Sequence, residues 1–254
     1  MYDFASILFS GPCNARCPFC IGQQVHPALT PPNLTTYPPR NLDALVQAVH
    51  RHAIREVILT GTNTDPQMYA HEERLLERLR ADLPSGTRLS LHTNGRLALR
   101  KLSAFNAYNR VTLSFPAFDP HVYRRVMGVP HPPDLRAILE RARLPVKISI
   151  IAVPEALSVL GDTLIRLADL GIRRVALRKR YGDARPWAQI LPSGLALPVV
   201  GQYRGNPVCT FQGMEVTLWD FAATQSRVIN LFASGHISTR YQIVQAVPQI
   251  VSNV

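Results

Sequence analysis

Six short runs rich in β-forming residues, at 6–10, 56–60, 88–92, 110–115, 146–153 and 174–177, alternate with amphipathic stretches. A strand that rejoins its sheet in parallel needs a crossover of about a dozen residues, and a helix is the usual one. Leu42, Leu45, Val46 and Val49 mark one helical face, and Leu75, Leu76 and Leu79 a second. Stretches 97–105, 135–142 and 157–170 supply the others. Asp134 before Leu135 and Gly171 after Leu170 read as a helix start and a helix stop. The alternation predicts an α/β chain built on a parallel sheet, with too few units for a complete eight-unit barrel.

After 185 the pattern changes. Stretches 197–203, 215–221, 227–232 and 237–243 read as strands, and Ser234-Gly235 reads as the turn of a hairpin between the last two. The expected division is a barrel-like core over 1–185 and a small β-meander over 186–254, acting as an extension or lid. The proline-rich stretch 27–39 reads as an extended, ordered loop.

Cys13, Cys17 and Cys20 follow the first apolar run within eight residues. Thiolates at this density are metal ligands or disulfide partners. Three cysteines so close cannot all pair, and the start of the chain lacks the basic and apolar regions of a signal peptide, so a reducing, cytoplasmic compartment is expected. A [4Fe–4S] cluster held by three cysteines keeps one iron open for another ligand. Zinc with His26 as a fourth ligand is the competing use, although zinc modules usually pair two short spacings.

The spacing C-x3-C-x2-C, with Phe19 before the last cysteine, resembles the signature of the radical S-adenosylmethionine (SAM) superfamily. The resemblance covers residues 1–185 and is nearest to the molybdenum-cofactor cyclase and peptide-maturase branches. It implies a partial (β/α)6 barrel with a small C-terminal β-rich extension, and a [4Fe–4S] cluster on Cys13, Cys17 and Cys20. The amino and carboxylate groups of SAM would chelate the open iron, with Phe19 near the adenine. A flavodoxin- or ferredoxin-type donor would supply one electron. Reductive cleavage of SAM would then give a 5′-deoxyadenosyl radical that abstracts hydrogen from the substrate.

The family places its binding groups at the C-terminal ends of the strands. Its Gly-Gly-Glu-like turn is here Gly61-Thr62-Asn63, which keeps a flexible turn for the SAM ammonium but changes the side chains; Asp65 is an alternative local carboxylate. Thr93 and Asn94 resemble a Thr-Asn-Gly turn facing SAM or substrate, and Ser114 a serine contacting SAM. Lys147 resembles a lysine used on a nucleotide substrate, and Ser149 shares its strand face. Arg178, Lys179 and Arg180 suit a SAM carboxylate or an anionic substrate. Arg178 is assigned to SAM, and Lys179 and Arg180 to substrate. Cys209 reads as a buried structural thiol or, alternatively, as a hydrogen-atom donor. It leaves no set of cysteines for an auxiliary cluster. Trp219 reads as core packing or as a stacking surface for a planar substrate. No histidine is given a catalytic role, with His121, His131 and His236 expected in loops.

The formal charge of +11 suits an anionic small molecule, with a nucleotide or nucleoside derivative favoured. A peptide substrate, RNA modification and transfer of an aminocarboxypropyl group from SAM are the alternatives within the resemblance. Outside it stands a zinc or nucleic-acid binding protein. No apolar run is long enough to cross a bilayer as a helix, so no membrane role is expected.

Overall fold

The computed structural model describes residues 2–241. Its strands are β1 (Phe4–Phe9), β2 (Glu56–Gly61), β3 (Arg88–Thr93), β4 (Arg110–Ser114), β5 (Val146–Ala152), β6 (Arg174–Lys179), β7 (Val199–Tyr203), β8 (Asn206–Phe211), β9 (Met214–Trp219), β10 (Val228–Leu231) and β11 (Ile237–Ser238). Its α-helices are α1 (Leu42–Arg51), α2 (Glu72–Asp82), α3 (Leu102–Asn106), α4 (Pro120–Met127), α5 (Leu135–Arg141), α6 (Pro154–Leu157), α7 (Leu160–Asp169) and α8 (Trp187–Ile190). Among the described residues one sheet runs in the order β11-β10-β1-β2-β3-β4-β5-β6-β9-β8-β7.

All neighbours from β10 through β1 to β6 and on to β9 are parallel, which extends the six expected strands by one at each side. Among the described residues hydrogen bonds do not close the sheet; the antiparallel strands β11 and β7 end it. The expected meander over 186–254 is therefore divided. Strands β9, β8 and β7 continue the sheet from β6, while β10 and β11 continue it from β1. The hairpin at Ser234-Gly235 is present between β10 and β11, with Gly235 at φ +89°. Part of the strand expected at 237–243 lies outside the described residues. Strand β8 was not expected; Pro207 inside it weakens the strand signal, and its place one strand from the edge runs against the usual confinement of proline.

Successive strand residues point to opposite faces, and here the two faces differ sharply. Ile7, Leu59, Leu91, Leu113, Ile150 and Leu177 lie on one face, each no more than 1% exposed. They share a core with Leu45 and Val49 of α1, Leu75 and Leu79 of α2, Ile138 of α5, and Leu164 and Leu167 of α7. Burying each of these large side chains stabilises the fold by roughly 1.5–3 kcal/mol. The other face carries Ser90, His92, Thr112, Ser114, Lys147, Ser149 and Arg178, polar positions that one register holds together across β3 to β6.

Helix α4 was not expected, and His121 lies in it rather than in a loop. Its start is capped by Asp119, whose carboxylate accepts the His121 and Val122 amides at 2.7 and 3.1 Å. Asp134 caps α5 as predicted, accepting the Ala137 amide at 3.0 Å. Within the proline-rich loop, Pro27–Leu29 makes a single 3-10 turn.

Candidate functional site

The cysteine loop leaves the C-terminal end of β1 and is held from three sides. Asn63 Oδ1 accepts the Gly11 amide at 3.1 Å and the Ser10 hydroxyl at 2.9 Å. The Arg16 amide donates to Met127 O at 2.9 Å, at the end of α4, and Cys17 Sγ lies 3.8 Å from Met127 Sδ. Cys20 Sγ lies 3.9 Å from Thr62 O. Gly22 makes that last approach possible, since a Cβ there would stand 1.8 Å from Thr62 O.

All three cysteines are half-buried free thiols. Burial pushes Cys17 up to about 12, and the charges of Cys20 and Cys13 push the same way. Cys13 is raised for the same first reason, with Asp65 and Cys20 adding to it. The three thiols therefore lie close enough to repel as thiolates, and bound iron would offset that repulsion. The donor set fits a cluster: three soft ligands, gathered by glycine-enabled contacts at the C-terminal end of a parallel strand. In such a cluster each thiolate would bind a different iron, so the three need not meet at a point. Among the described residues no three His, Cys, Asp or Glu side chains converge to hold one ion. His26, the ligand required by the zinc reading, instead accepts the Ala28 amide at Nδ1, 3.2 Å away.

Asp65 joins the loop to the end of β3. Its buried carboxylate accepts the Thr93 hydroxyl at 2.7 Å, the Asn94 amide at 2.6 Å and the Gln67 amide at 2.9 Å. Burial raises its pKa even though all three donors pull it down. Asn94 Nδ2 in turn donates to Asn14 Oδ1 at 2.7 Å, one residue from Cys13. This network uses the expected residues Thr93 and Asn94 to brace the loop. Asp65 is its centre.

The polar face of the sheet extends from this loop. Burial, then the charges of Arg178, Lys147 and Arg110, push His92 down to about 3, so its imidazole is neutral. Burial, then Arg178 and Arg110, push Lys147 down to about 8. Arg110 is neutralised by Glu56, and Arg174 pairs with Glu215 at 2.8 Å. Ser114 and Ser149 are register partners on the same face. Arg180 reaches back to the cysteine loop, its guanidinium 5.4 Å from the Phe19 ring centre.

Residues 7–164, more than half of the chain, match the family model of the Radical SAM superfamily. The chain belongs to that superfamily. It is an enzyme of a family that uses a [4Fe–4S] cluster and SAM. It is 37% identical over 132 residues to a probable GTP 3′,8-cyclase of Thermococcus kodakarensis, covering 50% of this chain and 38% of that protein. It is 29% identical over 159 residues to a GTP 3′,8-cyclase of Rhodococcus opacus, covering 60% of this chain and 44% of that one. The chain thus spans less than half the length of these relatives. Among solved structures, Streptococcus suis SuiB bound to precursor peptide SuiA superposes with a TM-score of 0.56 at 15% identity, over 70% of this chain and 39% of that one. Native anSMEcpe with bound AdoMet gives 0.51 at 15% identity, over 70% and 51%. These two structures share the partial-barrel fold.

The sequence-predicted residues divide by location. Cys13, Cys17, Cys20, Phe19, Gly61, Thr62, Asn63, Thr93 and Asn94 gather at the ends of β1, β2 and β3, and Ser114, Lys147, Ser149 and Arg178 line the polar face. Lys179 does not join them. Its side chain points to the helix-covered face, 7% exposed, and pairs with Asp220 at 2.6 Å, away from the polar face on which a substrate role was expected for it. Cys209 is fully buried opposite Val216, on the apolar face and away from the residues that line the polar face. His92 was missed. The alternation Ser90, Leu91, His92 carried the signal that it shares a face with Lys147. Trp219 stands half-buried on the polar face as the register partner of Arg178.

Proposed function

We propose that this chain cleaves SAM reductively at a [4Fe–4S] cluster held by Cys13, Cys17 and Cys20, and acts by hydrogen abstraction on an anionic small molecule of nucleotide or nucleoside type. One observation carries the reading. The three thiols follow the C-terminal end of β1, and the sheet carries a polar face, with Arg178 at the C-terminal end of β6, on which Arg178 and Lys147 have no ion-pair partner among the described residues. When bound, the cluster and SAM supply one-electron cleavage of a sulfonium and a carbon radical able to take hydrogen. Gly61 and Thr62 would offer backbone carbonyls to the SAM ammonium, and Phe19 an aromatic surface to its adenine. Asp65, Thr93 and Asn94 would hold the loop in place, and Lys147 would attract the substrate's negative charge. The names of the two cyclase relatives support a nucleotide-like substrate.

The test is anaerobic reconstitution followed by counting iron and sulfide, then mass spectrometry after addition of dithionite and SAM. About four irons per chain and 5′-deoxyadenosine as the product support the reading. Zinc in place of iron, or a loaded cluster that never cleaves SAM, overturns it. An aminocarboxypropyl product would show that a different carbon–sulfur bond breaks.

A further inference from the structure

Buried N–H donors nearly always find an acceptor, so neighbouring donors without one identify what is meant to meet them. Arg178 Nε and Trp219 Nε1 are two such atoms, both buried and without a partner among the described residues. They are not scattered. Arg178 and Trp219 are register partners on adjacent parallel strands, β6 and β9, and point to the polar face. The guanidinium carbon lies 6.0 Å from the indole ring centre. Arg178 also acts on Lys147 of β5 and His92 of β3, which places its charge over the same space. A third unpartnered donor, Asn230 Nδ2, lies on β10 at the other flank of that face.

Both nitrogens donate and neither accepts, so the missing partner is an oxygen acceptor. The charge balance limits its size. On this face Arg110 and the half-exposed Arg88 share Glu56, and Arg174 contacts Glu215, so two carboxylates meet five cations, and Lys147 and Arg178 have no ion-pair partner among the described residues. That excess of three positive charges suits a compact oxyanion and falls short of a polyphosphate chain.

We propose that Arg178 and Trp219, with Lys147 on the same face of the neighbouring strand β5, form the seat for a single compact oxyanion of the substrate, a carboxylate or a phosphate monoester. This rests on the function proposed above and narrows its substrate class. Strand β9 supplies half of the seat, which gives the C-terminal part of the chain a role in substrate choice.

The probes are inorganic phosphate, acetate and tripolyphosphate, titrated by calorimetry into the reconstituted full chain with SAM present and ionic strength fixed. Saturable binding of phosphate or acetate at one site per chain is expected. Whichever binds tighter assigns the group, and tripolyphosphate should bind no tighter than phosphate. Arg178→Gln should weaken the preferred anion about tenfold, and Trp219→Phe several-fold, because each removes a donor. Arg178→Lys keeps the charge but loses the Nε donor, and it should weaken binding in the same direction if the glutamine variant does not fold. No saturable binding, unchanged affinity in the folded variants, or much tighter binding of tripolyphosphate would overturn the seat. So would anion binding that appears only without SAM, which would assign the donors to the SAM carboxylate. Deoxyadenosine formation by the unaltered enzyme is scored separately. SAM cleavage without anion binding removes the seat alone, and anion binding without SAM cleavage removes the radical chemistry alone.

Discussion

His92 is surrounded by positive charge and survives by being neutral. Its folded pKa of about 3 lies below the ordinary 6.5, so below 6.5 the unfolded chain takes up a proton that the folded chain refuses. Stability should therefore fall as pH drops from about 6.5 towards 3, and His92→Gln should flatten that part of the curve in denaturant melts read at several pH values. Lys147 makes the complementary case on the basic side. It loses its charge as pH rises through about 8, with burial first and then Arg178, Arg110 and Arg174 opposing the charge and Glu215 favouring it. Sulfate keeps a constant charge over this range. Its affinity should drop from pH 7 to 9 by up to about tenfold, and Lys147→Arg should remove most of that slope. At the cysteine loop, Cys17→Ala should leave the purified protein short of iron and unable to form deoxyadenosine, measured by iron assay and product analysis. The cysteines and the Lys147–Ser149 alternation were readable from single residues and their spacing. Asp65 as the centre of a hydrogen-bond network was not, because its partners Thr93 and Asn94 lie about thirty residues away, at the end of β3.

Helix α4 shows what local pattern leaves out. Its boundaries are written in Asp119, Pro120 and Gly128 and its buried face in Tyr123, Val126 and Met127, so the sequence marks the helix without saying what it does. Its purpose is visible only in three dimensions, where its last residue meets the cysteine loop. Gly128 ends it with φ +67°, and a Cβ there would stand 2.2 Å from Arg16 O. Gly171, at φ +79°, has nothing within 4 Å of the same position. Gly171→Ala should therefore cost about 1 kcal/mol of backbone strain and leave iron content unchanged. Gly128→Ala should cost more and also displace the loop, lowering both the melting temperature and the iron bound per chain. Equal iron content in the two variants would show that α4 does not position the cysteines.

Across the whole molecule, strands beyond 185 were legible as strands, yet nothing local says which edge a strand will join. A lid would be dispensable for folding, and sheet strands are not. Removing 186–254 would strip β9 from β6 and β10 from β1, uncovering two parallel edges together with Val175, Leu177, Ile7 and their neighbours. The truncated chain should aggregate, seen as void-volume elution in size-exclusion chromatography. A monomeric truncation that still binds iron would restore the separate-lid view.

The pairing of β10 with β1 has a consequence during synthesis. Phe4 waits for Val228 before its outer neighbour exists. At roughly 5–20 residues per second, a ribosome takes on the order of 10–45 s to deliver that partner. For that interval the strand carrying the cysteine loop stands at an open edge of the sheet.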